Sequence, residues 1–177
     1  MLEDKILVWR FKRGSKDALA AIYEKYRDDL LRIASSLLSR PAAEDIVHDV
    51  FISFVRNREN FVLKSSLKAY LAAAIVNSAR NSYRLKKTSQ LDESPEIESK
   101  LQRPEHWIIH NEQTQIVNDA LKQLPIEQRE VVALHIHGNM KFRQIAKVQD
   151  VSTKTAQSRY RYGIDKLRSL LNGKVTL

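Results

Sequence analysis

The chain contains no cysteine and little glycine or proline. Its 177 residues include only four Gly and four Pro. Without cysteine the chain forms no disulfide and offers no thiolate to a metal, which fits a reducing cytoplasm without requiring it. Few Gly and Pro favour helices joined by few tight turns. We therefore expect an all-α protein of the cytoplasm.

Long apolar runs are absent as well. No run approaches the roughly 20 residues of a membrane-spanning helix, and the first residues, MLEDKILVWRFKRG, do not resemble a signal peptide. We therefore expect no membrane insertion. A hydrophobic content of 43% with a net charge of +9 indicates a basic globular protein rather than a disordered one.

The charge divides the chain into three parts. Residues 1–90 hold 17 Lys and Arg against 10 Asp and Glu, residues 91–112 hold 2 against 6, and residues 113–177 hold 11 against 5. The acidic middle contains Pro95 and Pro104 and no sustained apolar period. This pattern predicts two small helical domains joined by a flexible acidic linker.

Residues 139–171 predict a helix-turn-helix. The first helix is expected over 142–148, the turn over 149–151, and the second helix after Ser152, which serves as its N-cap. The second helix has an apolar stripe at spacings of three and four residues: Ala156, Tyr160, Ile164, Leu167 and Leu171. Its other face carries the side chains that reach bases and phosphates in a major groove: Lys154, Thr155, Gln157, Ser158, Arg159 and Arg161. The alternative is an ordinary helical hairpin with a solvated basic face.

A second basic surface is predicted near the middle of the chain. Ser65 or Ser66 would cap a helix whose first half is apolar and whose second half is polar and basic. The polar half contains Asn77, Arg80, Asn81, Tyr83 and Arg84. Such a mixture can follow a phosphate backbone and hold exposed bases. A solvated helix end, with Tyr83 packed on its neighbours, is the alternative.

The other helices follow from apolar spacing and caps. A short opening helix is expected over 7–11, and Asp17 is expected to cap the next helix. Pro41 fits the first turn of a third helix. Its inward face carries Ile46, Val47, Val50 and Phe51, and its outward face carries Asp45, His48 and Asp49. Beyond the linker, a helix is expected from Trp107 to Leu124. Another would begin at Pro125 and end at Gly138 and Asn139, residues that tolerate a left-handed backbone.

An enzyme is not expected. The chain has no glycine-rich phosphate loop and no recognisable Ser-His-Asp or paired-carboxylate arrangement. His106 and His110 lie four residues apart, and His135 and His137 are close in sequence. Without cysteine or a Glu placed as in a zinc-protease helix, these residues favour surface or half-buried histidines over a metal site. We expect no metal and no cofactor.

Taken together, these segments resemble a bacterial RNA polymerase sigma factor of the extracytoplasmic-function group. The segment of that family which grips the polymerase clamp helices resembles AEDIVHDVF, residues 43–51. The part that melts and holds the minus-ten element resembles FVLKSSLKAYLAAAIVNSARNSYR, residues 61–84. The part that reads the minus-thirty-five element resembles LPIEQREVVALH, residues 124–135, together with the helix-turn-helix. The two matches occur in the family's order on either side of an acidic linker.

The resemblance implies a division of labour among residues. It implies a region 2-like domain over 1–87, a linker over 88–104 and a region 4-like domain over 105–177. Core polymerase would be bound by Asp45, His48 and Asp49. The melted minus-ten strand would be bound by Asn77, Arg80, Asn81 and Arg84. The minus-thirty-five duplex would be read by Lys154, Thr155, Gln157, Ser158, Arg159 and Arg161. The implied partners are core RNA polymerase, promoter DNA and an anti-sigma factor.

Several residues depart from the family's usual pattern. His48 stands where Gln is usual, Asp150 where the turn has Gly, and Gly163 where Ala is usual. Lys141 replaces a capping Ser or Thr, and Gln144 replaces a Glu. The alternative function is a helix-turn-helix repressor or activator that is not a polymerase subunit. Such a protein would need a ligand pocket or a dimerisation helix, and the first domain predicts neither.

Overall fold

The computed structural model of the chain describes residues 2–63, 66–89 and 111–172, apart from the side chains of 85–89 and 111–114. In this part of the chain every regular element is an α-helix, as the sequence predicts. The eight helices are α1 (Leu2–Lys12), α2 (Lys16–Leu37), α3 (Arg40–Arg56), α4 (Leu67–Ser89), α5 (Asn111–Lys122), α6 (Ile126–Ile136), α7 (Phe142–Gln149) and α8 (Thr153–Leu171). The first four form one domain and the last four form the other.

Helix α2 is the centre of the first domain and packs against α1, α3 and α4. Its buried stripe follows the helical period: Ile22, Tyr26, Leu30, Ile33 and Leu37. The prediction that Asp17 caps this helix is wrong. The Oγ of Ser15 accepts a hydrogen bond of 3.3 Å from the backbone N–H of Ala18, so the helix begins at Lys16 and Asp17 lies in its first turn.

Helix α1 is longer than the short opening helix expected over 7–11. Asp4, which is buried, accepts hydrogen bonds from the Tyr26 hydroxyl at 2.5 Å and from Lys25 Nζ at 3.0 Å. Burial raises the pKa of this carboxyl, but the hydrogen bonds from Tyr26 and Lys25 outweigh it and lower the pKa below its ordinary value. The first turn of α1 is thereby attached to α2.

The predicted starts of α3 and α4 are confirmed. Pro41 lies in the first turn of α3, where its missing N–H costs no hydrogen bond. The Oγ of Ser66 accepts a hydrogen bond of 3.4 Å from the N–H of Ala69 in the first turn of α4. Ser65, the other candidate cap, lies outside the described residues. Helix α4 reaches Ser89, so it includes the first two residues of the predicted linker.

The second domain differs from expectation in its loops. Trp107 and Ile108, assigned to the first helix of this domain, lie outside the described residues. The turn after α6 is left-handed only at Asn139, whose φ is 51°. Gly138 serves a different need, because a Cβ there would lie 2.5 Å from the carbonyl oxygen of Leu134. The turn therefore requires glycine for close approach rather than for its φ.

The two domains pack against each other. Helix α2 contacts α5 and α6, and α4 contacts α6. Val131, Leu134 and Met140 of the second domain belong to the same buried apolar cluster as Ile33 and Ile75 of the first. We call this interdomain contact, made by α2 and α4 on one side and by α5 and α6 on the other, the seam. No helix within the described ranges is long and apolar enough to cross a membrane.

Candidate nucleic-acid interface

The turn between α7 and α8 is held by backbone geometry and one serine. Asp150 adopts a left-handed conformation with φ of 52°, which Asp tolerates better than most residues, and this explains how it occupies the usual glycine position. The N–H of Val151 donates to the carbonyl of Ala146 at 2.9 Å. Ser152 is the predicted N-cap, and its Oγ accepts from the N–H of Thr155 at 3.0 Å. The helix-turn-helix is confirmed, although Gln149 belongs to α7 rather than to the turn.

The start of α7 accommodates both family departures. Lys141 is the N-cap, and its backbone N–H donates to the Oε1 of Gln144 at 2.9 Å. Gln144 thus performs the half of a capping box that a Glu in this position performs, without a negative charge. The cap side chain makes no equivalent hydrogen bond to the helix.

The close mounting of α8 on α6 depends on Gly163. A Cβ at this position would lie 3.0 Å from Cγ2 of Val132 and 3.3 Å from Cδ2 of Leu124.

An aromatic cluster also joins α6, α7 and α8. The ring of His135 stacks on Phe142 at 4.5 Å and meets Tyr160 edge-on at 4.7 Å. His135 is therefore half-buried in an aromatic cluster, and its Nδ1 lies 2.9 Å from the carbonyl of Met140.

The outward face of α8 presents most of the predicted reading residues. Lys154, Thr155, Gln157 and Arg161 are exposed, whereas Ser158 and Arg159 are half-buried. Thr155 also takes part in the cap, because its hydroxyl lies 2.8 Å from Ser152 Oγ. The guanidinium of Arg161 lies 5.2 Å from the centre of the exposed Tyr162 ring. Four of the six side chains are thus accessible to a duplex.

The acidic face of α3 lies in the first domain. Asp45, His48 and Asp49 are exposed, while Val47, Val50 and Phe51 are buried and Ile46 is half-buried. The helical period therefore separates the two sets of side chains as the sequence predicts. The three residues form an accessible surface with two carboxylates.

The basic half of α4 is divided between solvent and the seam. Asn77, Asn81 and Arg84 are exposed. Tyr83 is 42% exposed, and its hydroxyl donates to the carbonyl of Leu37 in α2, so it packs partly on its surroundings, as in the alternative of a solvated helix end. Arg80 turns toward the second domain instead. The four predicted strand-binding residues therefore do not share one accessible surface in this arrangement.

Arg80 forms a two-pronged ion pair with Glu130 of α6. Its Nε donates to Glu130 Oε1 at 2.7 Å, and its Nη2 donates to Oε2. Its Nη1 donates to the carbonyl of Val148 at 2.8 Å. The hydrogen bonds to Glu130 raise the pKa of Arg80 above its ordinary value. The Glu130 side chain is only 3% exposed, so the carboxylate depends on these partners for its hydrogen bonds.

The ion pair continues into the helix-turn-helix. Gln149 Nε2 donates to Glu130 Oε2 at 2.8 Å, and Gln149 Oε1 accepts from Arg159 Nη1 at 2.8 Å. Residues Arg80, Glu130, Gln149 and Arg159 thus form a continuous hydrogen-bonded chain, which we call the latch. The latch lines a cleft of about 570 Å³.

Glu130 is a functional candidate that the sequence does not reveal. It lies in EQREVVAL, where the adjacent valines indicate a buried face, and a charge beside a buried face suggests that it has a partner. The partner lies 50 residues earlier in the chain, so local spacing cannot identify it.

The described residues contain no group of three His, Cys, Asp or Glu side chains arranged to hold a metal ion. His106 and His110, one of the two histidine pairs, lie outside the part that the structure describes. His135 and His137, the other pair, belong to the second domain. His135 takes part in the aromatic cluster, and His137 is half-buried at the end of α6.

A four-helix domain with a basic helix, followed by a four-helix domain with a helix-turn-helix, defines a two-domain DNA-binding protein. Comparison with known families identifies both halves: residues 22–88 match the model of Sigma-70 region 2, and residues 114–167 match Sigma-70, region 4. The chain belongs to the sigma-70 family and is a sigma factor of the extracytoplasmic-function (ECF) type. It binds core RNA polymerase and directs promoter-specific initiation.

Characterised relatives are similar over nearly their whole length. The ECF RNA polymerase sigma-E factor of Haemophilus influenzae is 24% identical, with 98% of this chain and 96% of that protein covered. The ECF sigma factor SigW of Bacillus subtilis is 23% identical, with 90% and 92% covered. The family assignment therefore applies to both domains, because the similarity extends over nearly the full length of this chain and of each relative.

Solved structures share the fold. The structure of CnrH in complex with the cytosolic domain of CnrY matches with a TM-score of 0.70 at 22% identity, covering 98% of this chain and 99% of that one. The sigma factor RpoE in complex with the anti-sigma factor NepR from Bartonella quintana matches with a TM-score of 0.67 at 25% identity, covering 88% and 99%. Both domains of the chain therefore have counterparts in solved structures.

Proposed function

We propose that three surfaces of this sigma factor divide the work of initiation. Asp45, His48 and Asp49 bind core polymerase. Asn77, Arg80, Asn81 and Arg84 hold the separated minus-ten strand, and Lys154, Thr155, Gln157, Ser158, Arg159 and Arg161 read the minus-thirty-five duplex. The supporting observation is that exposed members of each set lie on different helices, α3, α4 and α8.

The chemistry of each surface suits its proposed partner. Two exposed carboxylates on α3 offer acceptors to arginines or lysines of a protein partner. Amide and guanidinium groups on α4 can hydrogen-bond phosphates and unpaired bases. At the start of α8, N–H groups and cationic side chains favour phosphate, while Gln157 and Arg161 can reach base edges. Because the two DNA sites are on one chain, each raises the effective concentration of the other at a promoter.

The chain would act without catalysis of its own, in the cytoplasm, with 1–87 and 105–177 as its working domains and 88–104 as their linker. An anti-sigma factor would hold it inactive by covering these faces. Support for this partner comes from the two solved relatives, one bound to the cytosolic domain of CnrY and the other to the anti-sigma factor NepR.

Reconstitution with core polymerase tests the proposal. The full chain should direct initiation at a defined promoter. The double variant Asp45→Lys, Asp49→Lys should lose most core-enzyme capture, because two attractive charges become repulsive. The matched control is Asp28→Lys with Glu24→Lys, which reverses two exposed charges on α2. Unchanged capture by the α3 variant would reject this face.

A further inference from the structure

We infer that the free chain is a closed, self-inhibited state in which the latch withholds one arginine from each DNA-binding surface. This inference rests on the proposed assignment of Arg80 to the minus-ten strand and of Arg159 to the minus-thirty-five duplex. One hydrogen-bonded chain, Arg80–Glu130–Gln149–Arg159, engages both residues at once.

Glu130 accepts two hydrogen bonds from the Arg80 guanidinium, as a DNA phosphate would. A carboxylate and a phosphate both present two oxygens to the fork of a guanidinium, and Arg80 gives Nε and Nη2 to Glu130. Its remaining terminal nitrogen donates to the Val148 carbonyl. Three of the five N–H donors of Arg80 are engaged, including the Nε and Nη2 pair, so Arg80 must release Glu130 before this edge can bind a phosphate with two hydrogen bonds.

The other end of the latch withholds Arg159. Its Nη1 donates to Gln149 at 2.8 Å, and Gln149 is itself held by Glu130 and by the carbonyl of Glu127 at 2.9 Å. The side chain is half-buried, unlike its neighbours Gln157 and Arg161. Arg159 would gain full reach only when the contacts around Gln149 loosen.

Promoter geometry requires the domains to separate. The names of the minus-ten and minus-thirty-five elements place them about 25 base pairs apart, which is about 85 Å of duplex at about 3.4 Å per pair. The guanidinium groups of Arg80 and Arg159 are joined through only two side chains, which places them within roughly 15 Å of each other. One chain in this arrangement therefore cannot occupy both elements, and productive binding must break the latch and open the seam.

Opening has an energetic cost that depends on what replaces the latch. Glu130 is nearly inaccessible to water, and a buried carboxylate deprived of its arginine is unfavourable. Separation of the domains re-exposes it to solvent, and polymerase and promoter DNA would supply new partners for Arg80. The fraction of open molecules should therefore limit the apparent affinity of the free chain for DNA.

The full chain suits a direct measurement of domain separation. It has no native cysteine, so Ser53→Cys on α3 and Ser169→Cys on α8, both exposed positions, allow a fluorescent donor and acceptor to be attached one to each domain. The latch is then broken from either side, by Glu130→Gln in α6 or by Arg80→Gln in α4. Asp119→Asn is the matched control, because it removes an exposed charge whose ion pair within the described residues is with Lys122, outside the latch.

Both latch variants should lower energy transfer between the labels and tighten binding to a minus-thirty-five duplex by about tenfold, as expected if about a tenth of wild-type molecules are open. Arg80→Gln is the sharper case, because loss of a positive charge ordinarily weakens DNA binding. Asp119→Asn should leave both readouts at the wild-type values. Unchanged energy transfer in both variants would overturn the latch, and lower transfer without tighter duplex binding would overturn its inhibitory role. Neither readout uses polymerase, so failure of initiation would instead count against the proposed function.

Discussion

The two candidate DNA-binding helices, α4 and α8, both carry guanidinium and amide side chains, but in different settings. On α8, four of the six candidate reading residues are exposed and α8 is held from behind by the aromatic cluster and Gly163. On α4, the arginine at the centre of the candidate surface pairs with a carboxylate of the other domain. Residue type therefore indicates what a helix can bind, while the neighbouring element decides whether the side chain is available.

The largest expected effect concerns how α8 is mounted. Gly163→Val should reduce the free energy of unfolding of the full chain by about 2–3 kcal/mol, because even a Cβ would lie 3.0 Å from Val132. Urea unfolding followed by circular dichroism measures this loss. Tyr162→Val, at the adjacent exposed position, is the control and should change stability little. Equal effects at both positions would show that α8 does not need this close approach.

Side-chain readout by the exposed surface comes next. Arg161→Ala should weaken binding to the minus-thirty-five duplex by about 1–3 kcal/mol if the guanidinium contacts a base with two hydrogen bonds. It should change single-strand binding little. Fluorescence anisotropy with matched duplex and single-stranded oligonucleotides distinguishes the two.

The reciprocal change lies on α4. Asn77→Ala removes an exposed amide outside the latch, so it should impair strand opening by the reconstituted holoenzyme while duplex binding is retained. Permanganate reactivity of unpaired thymines measures opening. If Asn77→Ala and Arg161→Ala both affected only duplex binding, the separation of the two jobs between α4 and α8 would be rejected.

A smaller effect is expected at the cap of α8. Ser152→Ala removes the oxygen that accepts from the N–H of Thr155, and should reduce the free energy of unfolding by about 1 kcal/mol. The same urea assay applies, with Ser169→Ala on the exposed face near the end of α8 as the control. Loss of stability in the control alone would contradict the assigned cap.

The smallest effect is a pH dependence at the seam. Burial lowers the pKa of His137, assisted by the charges of Arg32 and Lys68 and opposed by Asp29, all in the first domain. Because the folded pKa lies below the ordinary 6.5, the unfolded chain binds the proton more readily. Stability from this residue is complete above about pH 6.5 and declines as the pH falls toward the folded pKa. His137→Asn should flatten this part of the curve of unfolding free energy between pH 5 and 7.5, and an unaltered slope would assign the dependence to other groups.

Much of the candidate site can be predicted from the spacing of residues within single helices. The period of Ile46, Val47, Val50 and Phe51 predicts that Asp45, His48 and Asp49 point outward, and the structure exposes all three. Ser152 as a cap and the stripe on α8 follow from spacing in the same way. The prediction of the residue that caps α2 is wrong because Ser15 and Asp17 are both good capping residues, and capping propensity alone does not choose between them.

The sequence by itself determines the all-helical class, the order of the two domains and the faces of α3 and α8. These features depend on contacts within one helix or one turn, and the spacing of apolar and capping residues that are close in sequence predicts such contacts. The tertiary structure decides that α2 and α4 pack on α6, that Gly163 is a contact point and that Arg80 meets Glu130 rather than solvent. A contact across 50 residues depends on how two complete domains come together, and no local period encodes it.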